Sequence, residues 1–352
     1  MHLDTSPICE ITLGVSEKFR IQRTRLAPDG GAEGELPRMS VVTGTHGDEL
    51  EGQYVAWELI RRVREDPGHL TGVLDVYPAL NPLGIDSISR GIPNFDLDLN
   101  RLFPGDSGGC MPEYYAREVT DALSGSDLCV DVHASNIFLR EIPQIRVNEL
   151  TARELVPLAK LSGVDFVWVH ATATVLEATL AHSLNMAGTP CLVLEAGIGM
   201  RLTTEYGDQI VDGLLSLMRE VGVWDGPVPE VRRPRISTDG KVRYLNASSP
   251  GIFLATAEHT AHVEAGEVIG RILNPLTGEV AEELTSPASG LMFTLRAYPV
   301  VYEGSLIARV LEDAHGGGDE QNGISGTCGG RAASKGGVAS EGGAAGSEGG
   351  AR

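Results

Sequence analysis

The feature that most restricts the fold is a regular alternation between about Arg38 and Val223, where short apolar runs rich in β-branched residues alternate with longer amphipathic stretches. This pattern is typical of an α/β domain with a largely parallel sheet, because the crossover between two parallel strands usually contains a helix. The predicted strands are Met39–Thr43, Val73–Tyr77, Leu128–Val132, Phe166–Val169 and Cys191–Leu194. The predicted helices are Glu49–Glu65, Tyr114–Leu123, Glu149–Leu161, Leu176–Met186 and Thr204–Val221.

The pattern changes after Gly222, where a proline-rich stretch over residues 226–234 is unsuited to a helix or a central strand. We therefore expect an α/β domain over residues 1–225 and a smaller all-β barrel or sandwich over residues 226–312. Residues 313–352 are dominated by Gly, Ala, Ser and Glu. They predict a disordered tail, because so few apolar residues cannot offset the entropy of ordering the chain.

The charge of the chain excludes some classes of partner. Lys and Arg total 28 against 48 Asp and Glu, which gives a formal charge of −20. A surface this acidic repels phosphate backbones and anionic lipids, so we expect no nucleic-acid partner and no membrane binding. The first residues do not resemble a signal peptide, no long apolar run follows, and the five scattered cysteines form no CxxC pair. These features predict a cytoplasmic protein with reduced thiols.

The first candidate site follows the predicted strand at Met39–Thr43, where the sequence reads Gly-Thr-His-Gly-Asp-Glu. His46 and Glu49 lie three positions apart across this turn and can offer an imidazole nitrogen and a carboxylate oxygen to one cation such as zinc. Taken alone, the motif is about equally consistent with a solvated helix start, since acidic residues there favour the helix dipole.

Two further strands end in residues of the same chemical kind. The strand at Leu128–Val132 runs directly into His133, and the strand at Cys191–Leu194 runs into Glu195. His46, Glu49 and His133 would supply the three protein ligands that a catalytic zinc site needs. Strand alternation places Asp131 on the same face as His133, as a partner for that imidazole. Glu195 is a candidate general base, because a carboxylate at the end of an apolar strand is costly unless it has a role.

A loop between these strands carries candidate substrate ligands. Arg90 begins a stretch that reaches Asn100 and Arg101 in the sequence Asp-Leu-Asn-Arg-Leu-Phe-Pro-Gly. Arginine can bind a carboxylate through two parallel hydrogen bonds, and the neighbouring asparagine can add a third.

Taken in order, the motifs HGDE, DLNRxFPG, DVH and LEAG resemble those of the succinylglutamate desuccinylase and aspartoacylase family, which has a zinc carboxypeptidase-like fold. The resemblance extends over nearly all of the chain except the tail. It implies that the three predicted ligands bind one zinc ion and that Glu195 is the catalytic glutamate. It also implies that Asn100 and Arg101 bind the substrate carboxylate, and that Arg90 stabilises the oxyanion.

The resemblance also implies that the C-terminal β domain is lipoyl-like and narrows the cleft, which favours small N-acyl amino acids. Because no lysine occurs between Lys241 and Lys335, we exclude a biotin or lipoyl carrier. The predicted activity is therefore zinc-dependent hydrolysis of the amide bond of an N-acyl amino acid.

Three questions stay open at the level of sequence. A carboxypeptidase for short peptides would use the same residues, and a zinc-binding regulatory protein could keep the fold without turnover. Arg140 and Arg146 are both candidates to line the substrate pocket, and Arg140 is assigned to substrate binding, but both are equally consistent with surface or sheet-edge charges. The sequence does not determine the oligomeric state, and a homo-oligomer is possible.

Overall fold

The computed structural model describes residues 1–30, 34, 36–171 and 177–313. The helices are α1 (Glu51–Glu65), α2 (Pro82–Ser87), α3 (Met111–Leu123), α4 (Ala152–Ala159), α5 (Leu180–Met186) and α6 (Thr204–Glu220). The first nine strands are β1 (His2–Thr12), β2 (Lys18–Ala27), β3 (Arg38–Thr43), β4 (Val73–Tyr77), β5 (Leu128–Ala134), β6 (Leu139–Asn148), β7 (Phe166–His170), β8 (Cys191–Gly197) and β9 (Arg235–Thr238). The remaining strands are β10 (Val242–Asn246), β11 (Gly251–Ala255), β12 (His262–Val263), β13 (Val268–Asn274), β14 (Glu279–Thr285), β15 (Gly290–Arg296), β16 (Val300–Val301) and β17 (Leu306–Glu312).

One large mixed sheet organises the α/β part. Its strand order is β1-β2-β4-β3-β5-β8-β6-β15-β17-β10, with β7, β9 and β12 attached beside this path. The four central strands β4, β3, β5 and β8 are parallel. Antiparallel strands flank them, because β2 pairs with β4 on one side and β6 pairs with β8 on the other. The prediction of an α/β fold with a mixed sheet is confirmed, and the parallel strands form the centre of that sheet.

The helices cover both faces of this sheet, and each face has its own apolar core. Helices α1, α4 and α6 pack on one face, where Val41 is buried. Helices α3 and α5 pack on the other face, where the next residue, Val42, is buried. Successive side chains of a strand point to opposite faces, so strands covered on both sides are apolar throughout.

Strands from the C-terminal part of the chain join the large sheet. Strand β15 pairs antiparallel with β6 and continues through β17 to β10. A separate four-stranded sheet has the order β14-β13-β11-β16. The C-terminal segment is therefore all β in the described residues apart from a short 3-10 turn. The predicted boundary at residue 225 stays a prediction, and the predicted tail lies outside the described residues.

The sequence pattern located the five predicted strands, which are β3, β4, β5, β7 and β8, and their helices to within a few residues. It missed the N-terminal hairpin β1–β2 and strand β6. Helix α5 begins at Leu180, and Leu176, the predicted start, lies outside the described residues. Among the helices that the structure describes, none is long and apolar enough to cross a membrane.

Candidate active site

The parallel strands bring the predicted metal ligands to one edge of the sheet. His46 and Glu49 lie in the turn between β3 and α1, and His133 lies near the end of β5, the strand beside β3. Gly47 makes this turn close-packed, because a Cβ atom there would lie 2.0 Å from the backbone of Gly84 at helix α2. The carboxyl ends of parallel strands are where sites of α/β proteins are built.

His46, Glu49 and His133 converge on one point. The Nδ1 atom of His46 lies 2.6 Å from Oε1 of Glu49, and Nδ1 of His133 lies 2.9 Å from Oε2 of the same carboxylate. The three potential ligand atoms lie within 4.8 Å of one another, and all three side chains are buried. The structure therefore brings together the three residues that the sequence assigns to the metal.

A second carboxylate stands behind each imidazole. The Nε2 atom of His46 lies 3.0 Å from Oδ1 of Asp98, and Nε2 of His133 lies 3.0 Å from Oδ2 of Asp131. Imidazoles that bind metals usually donate their second N–H to such a group, which fixes the ring and makes it a stronger ligand. We call these five residues the histidine cluster: His46, Glu49, Asp98, Asp131 and His133.

The electrostatics of the histidine cluster favour positive charge at this point, either protons on the imidazoles or a metal ion. Burial opposes the charged form of both histidines, but the surrounding carboxylates outweigh it and raise the pKa of His46 and of His133. Burial likewise opposes ionisation of Asp98, but His46 lowers its pKa to about 2. Three carboxylates against the single guanidinium of Arg90 leave a formal charge of −2 when both imidazoles are neutral. A divalent ion compensates this charge, and the donor set of two imidazoles and one carboxylate suits zinc.

Arg90 reaches into the same site from its loop. Its Nη1 atom lies 2.9 Å from Oε1 of Glu49, and its Nη2 atom lies 3.0 Å from Nε2 of His46. The side chain is 43% exposed, so part of the guanidinium faces the cavity. An arginine in this position can stabilise negative charge that develops beside the metal ligands.

Asn100 and Arg101 lie at the wall of the same cavity. The Oδ1 atom of Asn100 accepts a hydrogen bond of 2.9 Å from the backbone N–H of Leu180 at the start of α5, which orients the amide. Arg101 is exposed and donates to the backbone carbonyl of Asn100 at 2.7 Å. Its guanidinium keeps further donors for a ligand.

Glu195 lies on β8 beside His133. The two residues are direct partners in the parallel register of β5 and β8, so their side chains share one face of the sheet. The Glu195 side chain is only 15% exposed, and its Oε1 atom lies 3.2 Å from Nη1 of Arg146 on β6. Burial raises the pKa of Glu195 above its ordinary value. A carboxylate with a raised pKa is suited to accept and return a proton.

Arg146 belongs to a second buried group of charges. Its Nη2 atom donates to Oε2 of Glu141 at 2.8 Å. The Oε1 atom of Glu141 accepts a hydrogen bond from Nη1 of Arg309 on β17. We call Glu141, Arg146, Glu195 and Arg309 the arginine cluster. Its two guanidinium groups balance its two carboxylates when Glu195 is ionised.

The arginine cluster and all of the histidine cluster except Asp98 line one cavity of about 1040 Å³. The predicted residues that line it are His46, Glu49, Arg90, Asn100, Arg101, His133 and Glu195. Arg140 is not among the lining residues. Its guanidinium carbon lies 5.7 Å from the ring centre of Tyr206 in helix α6, and it follows Leu139 and precedes Glu141, two residues that do line the cavity. The structure therefore does not bring Arg140 to this site.

Sequence reasoning missed Glu141 and Arg309. A prediction of strand β6 could have placed Glu141 and Arg146 in one strand, but a register shift between Glu141 and Gln144 breaks the simple alternation. No local signal could have found Arg309, because it is 168 residues from Glu141 along the chain.

The family model of the succinylglutamate desuccinylase/aspartoacylase catalytic domain matches residues 35–221, more than half of the 352-residue chain. The chain therefore belongs to this family, as its motifs predicted. The matched region contains both strand-end histidines, Glu49 and Glu195.

Similar proteins extend the match beyond the catalytic domain. An N-alpha-acetyl-L-2,4-diaminobutyric acid deacetylase from Halomonas elongata is 26% identical over 287 residues, which is 79% of this chain and 83% of the relative. The product-bound ectoine utilization protein from Ruegeria pomeroyi has a TM-score of 0.73 and 21% identity, covering 88% of this chain and 93% of that one. A succinylglutamate desuccinylase/aspartoacylase from Rhodobacter sphaeroides has a TM-score of 0.72 and 23% identity, covering 88% and 94%. These structures share the fold of this chain.

Proposed function

We propose that this protein is a zinc-dependent deacylase that hydrolyses the amide bond of a small N-acyl amino acid. The observation that carries the proposal is the convergence of His46, Glu49 and His133 beside Glu195 in one cavity. Family membership supports hydrolysis of an amide, and the Halomonas elongata relative is named for the deacetylation of an N-acetyl amino acid.

In this proposal His46, Glu49 and His133 hold one zinc ion per chain. When bound, zinc polarises the substrate carbonyl and makes water a stronger nucleophile near neutral pH. Asp98 accepts a hydrogen bond from the far nitrogen of His46, and Asp131 lies 3.0 Å from the far nitrogen of His133, so the two carboxylates keep the rings oriented toward the ion.

Glu195 carries the proton. Its carboxylate accepts a proton from the attacking water and returns it to the leaving nitrogen, which leaves as an amine. A raised pKa suits both steps, because the group is a stronger base before the attack and still acidic enough to donate afterwards. The products are a carboxylate and a free amino acid.

The arginines stabilise charge and bind the substrate. Arg90, which lies beside Glu49 and His46, stabilises the negative charge that develops on the carbonyl oxygen. Arg101 and the amide of Asn100 bind the carboxylate of the amino acid and so align the scissile bond.

The test is a substrate screen followed by one substitution. Zinc-loaded protein is assayed on N-acetyl, N-succinyl and N-formyl amino acids and on dipeptides. With the best substrate, Glu195→Gln is expected to lower kcat by about 10²–10⁴-fold, because the amide keeps the shape of the side chain but cannot accept a proton. Zinc content and melting temperature should stay at the wild-type values. Glu220→Gln, at the exposed end of α6, is the matched control and should keep full activity.

The dipeptides in the screen test a second candidate. The cavity of about 1040 Å³ has room for a ligand larger than an acetylated amino acid. Faster turnover of dipeptides than of N-acyl amino acids would favour a metallocarboxypeptidase. If the zinc-loaded protein hydrolyses none of these compounds, the deacylase proposal fails and a zinc-binding regulatory protein becomes the better explanation.

A further inference from the structure

We propose that Arg146 is a positioning residue that holds the carboxylate of Glu195 in its reactive orientation, and that Glu141 and Arg309 hold Arg146 in place. A strand of the C-terminal β segment would then contribute to the geometry of the active site. The inference rests on the proposed function, because it takes Glu195 to be the residue that transfers the proton.

The guanidinium of Arg146 is fixed on several sides. Nη1 lies 3.2 Å from Oε1 of Glu195, and Nη2 donates to Oε2 of Glu141 at 2.8 Å. Its central carbon lies 5.9 Å from the ring centre of Trp168 on β7, the strand beside β6. A planar guanidinium held by two carboxylates and an aromatic ring has little freedom to rotate. Arg146 can therefore fix the position of the Glu195 carboxylate.

Glu195 depends on this contact. It is a buried carboxylate with two others, Glu141 and Glu49, close enough to repel it. Among the residues that the structure describes, Arg146 is the cation within ion-pair distance of it. Without that partner, the carboxylate would turn away from its neighbours and toward solvent, because a buried unpaired charge is costly.

Glu141 links Arg146 to the C-terminal strands. It is 1% exposed, and its Oε1 atom accepts hydrogen bonds from Arg309 on β17 and, at 3.3 Å, from the hydroxyl of Thr294 on β15. With Arg146 bound to Oε2, both oxygens of the carboxylate have partners. A glutamate held in this way is a rigid support for Arg146.

Arg309 is itself held by two aromatic rings. Its guanidinium carbon lies 5.7 Å from the ring centre of Trp168 and 5.6 Å from that of Tyr244 on β10. Trp168 therefore lies close to both arginines of the cluster. Cations at this distance from an aromatic ring are attracted to it. Arg146 is therefore held directly by Trp168 on β7, and indirectly by residues on β10, β15 and β17 that contact Arg309 or Glu141.

The experiment compares single and double variants of the zinc-loaded full-length chain. Arg146→Met is expected to lower kcat about 100-fold, since a displacement of about 1 Å in an active site can cost that much. KM should change less than about threefold and zinc content should not change. Glu141→Gln and Arg309→Met should lower kcat about tenfold, because they act through Arg146. Arg243→Met, which breaks an ion pair with Glu312 between β10 and β17, is the matched control and should keep wild-type kcat.

The deciding measurement is non-additivity. If Arg146 acts through Glu195, adding Arg146→Met to Glu195→Gln should lower kcat by less than about threefold. Guanidinium ion added to Arg146→Ala should restore part of its kcat and none of that of Glu195→Gln. An equal loss in both backgrounds, or a rise in KM alone, would overturn the inference, because Arg146 would then bind substrate directly.

The outcomes separate this inference from the proposed function. If Glu195→Gln is slow and Arg146→Met is as fast as wild type, only the positioning role fails. If wild-type protein hydrolyses nothing in the screen, the proposed function fails first. Should Arg146→Met not fold, Arg146→Lys provides the same test, with a kcat between those of the wild type and Arg146→Ala expected. Wild-type kcat in Arg146→Lys together with wild-type kcat in Glu141→Gln would contradict the inference.

Discussion

The histidine cluster and the arginine cluster lie in the same cavity, both are largely buried, and both consist of charged or ionisable side chains. They differ in charge balance. The histidine cluster has three carboxylates around two imidazoles, with Arg90 as its neighbouring cation. The arginine cluster pairs two guanidinium groups with two carboxylates. The first is therefore suited to taking up a cation, whereas the second is complete in its own charges and can serve as a support.

The largest effect is expected from substitutions that prevent the histidine cluster from binding zinc. His46→Ala and His133→Ala should each abolish zinc binding, because two protein ligands are too few, and should lower hydrolysis at least about a thousandfold. Metal analysis and activity assays measure this. His182→Ala is the control, since His182 lines the same cavity outside the cluster and should keep its zinc. Wild-type zinc content in both variants would show that His46 and His133 are not the zinc ligands.

A smaller effect is expected from the carboxylate behind one ligand. Asp131→Asn should weaken zinc binding about 10–100-fold, because the neutral amide lacks the negative charge that lies 3.0 Å from Nε2 of His133 and makes the imidazole a stronger ligand. Competition with a chromophoric chelator measures the affinity. Glu141→Gln is the contrasting variant and should leave zinc affinity unchanged. Equal losses of zinc affinity in the two variants would contradict the assignment of zinc binding to the histidine cluster alone.

At the opening of the cavity, Arg101→Ala should raise KM about tenfold for a substrate with a free carboxylate, with a smaller change in kcat. The reason is that a side chain which binds the carboxylate equally well in the ground state and the transition state affects KM and leaves kcat nearly unchanged. The same substrate with its carboxylate amidated provides the control, since its KM should be insensitive to the substitution. A fall in kcat at constant KM would instead assign Arg101 to the chemical step.

The smallest effect is a pH dependence of stability in zinc-free protein. Folding raises the pKa of His46 and His133 above 6.5, so protonation stabilises the folded state. That contribution is fully present below pH 6.5 and is lost as pH rises through the folded pKa values. In zinc-free wild-type protein, denaturant unfolding should show a free energy of unfolding that falls as the pH is raised above 6.5. The double variant His46→Ala/His133→Ala should lose that part of the slope. Zinc-loaded protein should respond in the opposite direction, because zinc competes with these protons.

The histidine cluster was predictable because its residues occupy strand ends that a local pattern can locate. His46 and His133 follow apolar runs that form the neighbouring strands β3 and β5. In the arginine cluster only Glu195 follows such a run, on β8, and its partners were not predictable in the same way. Strand β6 contains several polar residues that are buried in the folded chain, such as Glu141 and Gln144, so its sequence does not read as a central strand. Arg140 is predicted to bind substrate, but the structure places it beside Tyr206 and not in the cavity. Its neighbours in sequence do not show which face of β6 it occupies.

The sequence by itself determined the central strands and helices of the α/β part, the family and the residues that converge on the metal position, because each depends on short-range patterns of polarity and on motif order. Tertiary structure decided which charges surround Glu195. Glu141 and Arg146 lie on β6 and reach Glu195 because β6 pairs with β8, whereas Arg309 comes from the distant strand β17 and reaches Glu141 only because β15 pairs with β6 and β17 pairs with β15. A charge network of this kind depends on strand register across the sheet, and register between distant strands is set by packing, which local sequence does not encode.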